Sequence, residues 1–79
     1  MAEMLAIQGL AFIAADPERL GRFLELTGIS AAEIRASARE KGFLAGVLEH
    51  ILGDESLLIA FAADAGIDPA EVARARRAL

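Results

Sequence analysis

The chain has 79 residues, enough for one domain, and no cysteine, so neither a disulfide framework nor a thiolate metal site can stabilise it. It is 56% hydrophobic, with much of the excess supplied by alanine, and its formal net charge is −4. This acidic balance opposes non-specific binding to nucleic acid or anionic lipid, and the absence of cysteine fits a reducing compartment.

The first predicted helix runs from about Glu3 to Ala15 and is apolar nearly all round. Its apolar stretch, Met4 to Ala15, is much shorter than the roughly 20 residues that a membrane span needs. A secretory signal would have basic residues before it, and the only charge there is that of Glu3. We therefore expect a buried helix in a cytoplasmic protein that does not enter a membrane.

Helix start and stop signals continue along the first half of the chain. Asp16 and Pro17 form an N-cap followed by a first-position proline, and Gly28 is placed to end the second helix in the left-handed conformation. Ser30 to Glu33 is a capping box that opens a third helix, Ala31 to Glu40. Lys41 and Gly42 are predicted to close this half.

The second half repeats the same signals. A fourth helix is predicted from Phe43 to Leu52, a fifth begins after the cap Asp54 and ends at Gly66, and a sixth begins after the cap Asp68 and runs to Leu79. A shift of 38 residues superimposes caps and apolar positions without a gap, among them Leu10 on Leu48, Ile13 on Ile51, Asp16 on Asp54, Phe23 on Phe61, Gly28 on Gly66 and Glu33 on Glu71.

The predicted fold is therefore all-α. We expect a compact orthogonal bundle of about six short helices in a single domain, residues 1–79, built from two three-helix halves, 3–41 and 41–79, with approximate two-fold symmetry. Shared helix-capping signals alone are the competing explanation for the matches. Gly46 lies inside the fourth helix, where a close approach of two helices explains it better than a ligand does.

Four segments carry a resemblance to a known family: Gly9 to Ala14, Asp16 to Leu24, Leu52 to Leu58 and Ala65 to Pro69. They resemble a small alphaproteobacterial family of helical proteins of unknown function. The resemblance covers most of the chain and implies a bacterial cytoplasmic helical protein. It transfers no activity, cofactor, partner or functional residue.

No motif for catalysis or cofactor binding stands out. His50 is the only histidine, with Glu49 beside it and Asp54 four residues on. Asp54 is better used as the cap of the next helix, and a histidine near a helix C-terminus is favourable on dipole grounds alone. We therefore predict no catalytic residue, no metal site and no cofactor, and we do not expect an enzyme.

A DNA-binding regulator is the sharpest alternative. The second helix, the turn at Gly28 to Ser30 and the third helix have the outline of a helix-turn-helix, with Arg35, Arg39 and Lys41 on the second of its helices. Glu33, however, occupies the helix N-terminus where phosphates would be met, and the whole chain is acidic. We therefore do not expect nucleic acid to be a partner.

A protein partner fits the composition better. Leu5 and Phe12 recur on one side of the first helix, while Ile7 and Ile13 point elsewhere, so one small core cannot cover them all. Either this helix is central to the bundle or part of it meets another chain. Together with Glu49 and His50, which distinguish the fourth helix from the first, Leu5 and Phe12 are the candidate surface for an unknown protein partner or a homodimer.

Overall fold

The computed structural model describes residues 1–79 as six helices without a strand, so the all-α prediction is confirmed. The helices are α1 (Ala2–Ala14), α2 (Pro17–Thr27), α3 (Ala31–Ser37), α4 (Lys41–Leu52), α5 (Glu55–Ala65) and α6 (Pro69–Ala78). The Cα radius of gyration is 11.3 Å.

Side-chain caps begin four of the six helices at the predicted residues. The side chains of Asp16, Ser30, Asp54 and Asp68 each accept a hydrogen bond from a backbone N–H of the first turn. Glu33 and Glu71 complete the two capping boxes by accepting from the cap residue's own N–H, at 3.0 Å in both. Each cap satisfies donors that a helix N-terminus would otherwise leave unpaired.

The core is centred on α4, which contributes Leu44, Val47, Leu48 and Ile51, all fully buried or nearly so. Both α1 and α6 pack against α4 and against each other. The approach of α1 is close, because a Cβ on Gly9 would lie 2.7 Å from Ile51 Cδ1. The remaining buried hydrophobic residues are Ala6, Ile13, Phe23, Leu57, Phe61, Ala62, Val72 and Ala75.

Several predicted boundaries and one glycine need correction. The third helix ends at Ser37, not Glu40, and Lys41 and Gly42 begin α4 where we had expected them to close the first half. The close helix approach predicted at Gly46 is wrong, since nothing lies within 4 Å of a Cβ built there. The close approach occurs at Gly9.

The repeat extends to the helix bounds, but the two halves do not pack alike. The 38-residue shift places α2 on α5 residue for residue. In contrast, α6 buries Val72 and Ala75 against α1 and α4, whereas α3 is shorter, has no buried residue and makes no comparable contact with either helix. Two symmetric three-helix units are therefore not confirmed.

Two exposed glycines should respond in opposite directions to alanine. Gly66 has φ +69° at the C-cap of α5, so Gly66→Ala should destabilise the fold by about 1 kcal/mol or more. Gly46 lies inside α4 in open space, so Gly46→Ala should stabilise it by about 0.5 to 1 kcal/mol. Urea unfolding of both variants measures the difference, and equal stabilities would contradict the cap assignment.

Candidate functional site

One face of α1 is apolar and open to solvent. The helix turns Ala6, Gly9 and Ile13 into the core, which leaves the opposite side uncovered. Met4, Ile7, Ala11 and Ala14 lie on that side, all exposed, at the alternating three- and four-residue spacing that aligns side chains along a helix. We call these four residues the α1 stripe.

The larger members of the stripe are at its N-terminal end. Met4 is 61% exposed and Ile7 is 45% exposed, whereas the C-terminal members are alanines. Apart from Gln8, the exposed part of α1 has only one polar side chain, that of Glu3. A contiguous exposed apolar face of this kind is typical of an interaction surface.

Two open hollows follow one side of the α1 stripe. The first, of about 460 Å³, lies between the N-terminal half of α1 and α6, and Glu71 and Arg74 are its charged residues. The second, of about 630 Å³, lies beside the C-terminal half of α1 and is lined by Phe61 and Asp64 of α5. Gln8 lines both hollows, so they adjoin along the helix.

Leu5 and Phe12, two of the predicted partner residues, lie beside the α1 stripe and not on it. Both are half-buried against the core, Leu5 in the first hollow and Phe12 in the second. The Phe12 ring packs against Phe61, with centroids 5.6 Å apart, and the Arg19 guanidinium lies 4.7 Å from the Phe12 ring centroid. These contacts give Phe12 partners within the chain.

Glu49 and His50, the other two predicted residues, are neighbours on α4. Their surroundings are more polar than those of Leu5 and Phe12. Glu49 is exposed and accepts a hydrogen bond from Arg76 Nη2 at 3.2 Å, an ion pair that joins α4 to α6. His50 is half-buried and meets the Phe23 ring edge-on, with centroids 5.0 Å apart. The four predicted residues therefore do not form one continuous patch.

His50 borders a polar hollow of about 310 Å³ at the start of α2 and α5. Asp16, Arg19, Arg22 and Asp54 line it. Burial lowers the pKa of His50 below its ordinary value of 6.5, the carboxylate of Asp54 opposes that change, and the Arg22 cation adds to it. Burial of the imidazole therefore favours its neutral form, and Asp54 caps its own helix by accepting a hydrogen bond from Leu57 N–H.

The helix-turn-helix outline loses two of its basic residues in the structure. Because α3 ends at Ser37, Arg39 lies beyond it and Lys41 belongs to α4, so only Arg35 is on the second helix of the pair. The Glu33 carboxylate is fixed at the N-terminus of α3 by its hydrogen bond to Ser30 N–H. A phosphate would meet this negative charge first.

Two further findings concern metals and membranes. No three histidine, cysteine, aspartate or glutamate side chains come together in a group that could hold a metal ion. None of the six helices combines the length and apolar character that crossing a bilayer requires.

Comparison with known proteins identifies a family. A family model described as "Protein of unknown function (DUF3572)" matches residues 1–79. The chain belongs to this DUF3572 family. No curated protein and no solved structure matches it.

The family description names no activity, so the surface of this DUF3572 member is the evidence for its function. Sequence reasoning selected Leu5 and Phe12 on α1 and missed Met4 and Ile7, which are the exposed apolar side chains. No local signal could have found them, because Gly9 and Gly46 both lie inside helices and only Gly9 meets a close neighbour. Once Gly9 is placed against Ile51, Met4 and Ile7 fall on the far side of α1.

The half-buried imidazole makes a pH dependence of stability testable. Because the pKa of His50 is lowered in the folded chain, the unfolded chain binds its proton first as the pH falls through 6.5. This contribution to stability should therefore be fully present above about pH 7 and decline as the pH falls through 6.5 toward about pH 5, the range in which histidine ordinarily titrates. Urea unfolding over that range measures it.

The matched control is His50→Gln, which has no titrating imidazole and should show a flatter dependence over the same range. NMR titration of the wild-type chain follows the only histidine directly. A His50 pKa at or above 6.5 in the folded chain would contradict the burial argument.

Proposed function

We propose that this DUF3572 protein is a non-catalytic protein–protein interaction module of the bacterial cytoplasm and that the α1 stripe is its contact surface. The observation that carries the proposal is the exposure of Met4 and Ile7 on a helix face with no charge at its centre. A soluble domain this small gains nothing in its own stability from leaving such side chains in water.

The rest of the surface supports an interaction role better than catalysis. In the polar hollow, the His50 imidazole lies near the N-cap residues Asp16 and Asp54. One carboxylate oxygen of each aspartate accepts a hydrogen bond from a backbone N–H group. Ser56 also lines this hollow, but its hydroxyl makes no hydrogen bond to His50 and the imidazole makes none to Asp54, so the linked nucleophile, base and carboxylate of covalent catalysis are not formed. The polar hollow is accounted for by helix capping.

The other exposed apolar residues are scattered. Leu26 and Ile59 are 68% and 56% exposed and lie on separate helices, α2 and α5. Isolated exposed apolar residues are normal on a protein surface, whereas an aligned row on one helix is not. Ile59 therefore serves as the matched control for Ile7.

The test is affinity capture from the native cells with three tagged baits: wild type, Ile7→Lys and Ile59→Lys. Both substitutions place the same charge on an exposed apolar position, so they affect solubility alike. We expect the wild type and Ile59→Lys to retain the same protein, either an untagged copy of this chain or a different one, and Ile7→Lys to lose it. The proposal would be contradicted if all three baits retained the protein equally, or if no bait retained a protein.

A further inference from the structure

The molecule that covers the α1 stripe can be inferred if the stripe is a contact surface, so this inference rests on the proposed function. We infer that the stripe pairs with the stripe of a second copy of the chain, the two α1 helices running antiparallel about a two-fold axis near Gln8 and Gly9. The shape of the stripe, its lack of charge and two flanking charges each support this arrangement.

The shape of the stripe is self-complementary only when the helices are antiparallel. Its large residues, Met4 and Ile7, precede its small ones, Ala11 and Ala14. A two-fold axis midway along α1 places Met4 against Ala14 of the other copy and Ile7 against Ala11, so each large side chain meets a small one. A parallel pair would place Met4 on Met4 and Ala14 on Ala14, leaving a gap at one end.

The charge of the chain favours contact at this face. Each copy carries a net charge of −4, which opposes self-association, and this cost is smallest where the surfaces that meet carry no charge. The α1 stripe has no charged member. Antiparallel packing also sets the positive N-terminal end of one helix dipole beside the negative C-terminal end of the other.

Two of the five charged residues that line the hollows then become reciprocal partners, while Asp16, Arg19 and Glu71 are engaged within their own chain. Arg74 flanks the N-terminal half of α1 and Asp64 flanks its C-terminal half, on the side that Gln8 marks. A two-fold axis keeps that side facing its counterpart while reversing the ends, which brings Arg74 of each copy to Asp64 of the other. Neither side chain belongs to the two ion pairs within the chain, Arg19–Asp16 and Arg76–Glu49.

The size of α1 limits the affinity. A helix of 13 residues is about 20 Å long, so a pair of them with its flanking residues falls toward the low end of specific interface areas. We therefore expect a reversible dimer with a dissociation constant in the micromolar range, about 1 to 100 μM.

Sedimentation equilibrium over that concentration range tests the dimer and its charges. We expect Arg74→Glu and Asp64→Arg each to weaken it about tenfold and the double variant to restore it. Arg35→Glu, which makes the same change in net charge as Arg74→Glu but on the exposed α3, is the control for that variant and should leave the dimer near wild-type strength. Failure of the double variant to recover would overturn the Asp64–Arg74 pairing.

Disulfide trapping tests the direction of the helices, because the chain has no cysteine of its own. In the antiparallel dimer, residue 4 of one copy is about 15 Å along the axis from residue 4 of the other, beyond the roughly 7 Å that a disulfide spans. Met4→Cys should therefore bridge to Ala14→Cys in a mixture of the two and not to itself. Self-bridging of each variant would establish a parallel pair and overturn the inference; Ile59→Cys controls for random oxidation.

A wild-type chain that stays monomeric at every concentration would also overturn the inference. If affinity capture then still retains a different protein through Ile7, the proposed function stands and only the second copy is excluded as its occupant. If capture fails as well, both are contradicted.

Discussion

The close contact between α1 and α4 at Gly9 is the constraint on which the rest of the structure depends. The chain has no cysteine, and none of its acidic residues or its histidine group into a metal site, so packing has to hold the fold together. At Gly9 the missing side chain lets α1 lie against Ile51, with the Phe61 ring next to it. A larger residue would collide with Ile51 Cδ1, and because Ile51 is fully buried, either its side chain or α1 would have to shift in a close-packed core.

That contact also decides which face of α1 is left exposed to solvent. Gly9 is flanked along the helix by Ala6 and Ile13, both fully buried, so the rotation of α1 about its axis is set by a row of inward residues. Everything on the opposite side becomes surface, whatever its hydrophobicity. The exposed α1 stripe is thus a geometric consequence of the core, and its apolar composition is what distinguishes it from an ordinary surface.

The local signals of the sequence were enough for most of the fold. Caps such as Asp16 and Asp68 accept hydrogen bonds from N–H groups within a few residues, so the helix starts can be predicted without knowing the tertiary contacts. The orientation of α1 could not be predicted from local signals. Ile7 and Ile13 are the same residue type on one apolar helix, yet Ile7 is 45% exposed and Ile13 is fully buried. Only the partner helix distinguishes them, and the same holds for Gly9 and Gly46.

The α1 stripe lies at positions where the two halves of the chain differ in sequence. Under the 38-residue shift Ala11 corresponds to Glu49, and Ala38 corresponds to Arg76. In the second half the pair forms an ion pair that ties α4 to α6 and places charge over that face. In the first half alanine stands at both positions, α3 contributes no buried residue, and α1 keeps an uncharged face that no helix of the chain covers. Similar caps therefore occur in two halves that pack differently: α6 closes the second half over the core, whereas one face of α1 in the first half stays exposed to solvent.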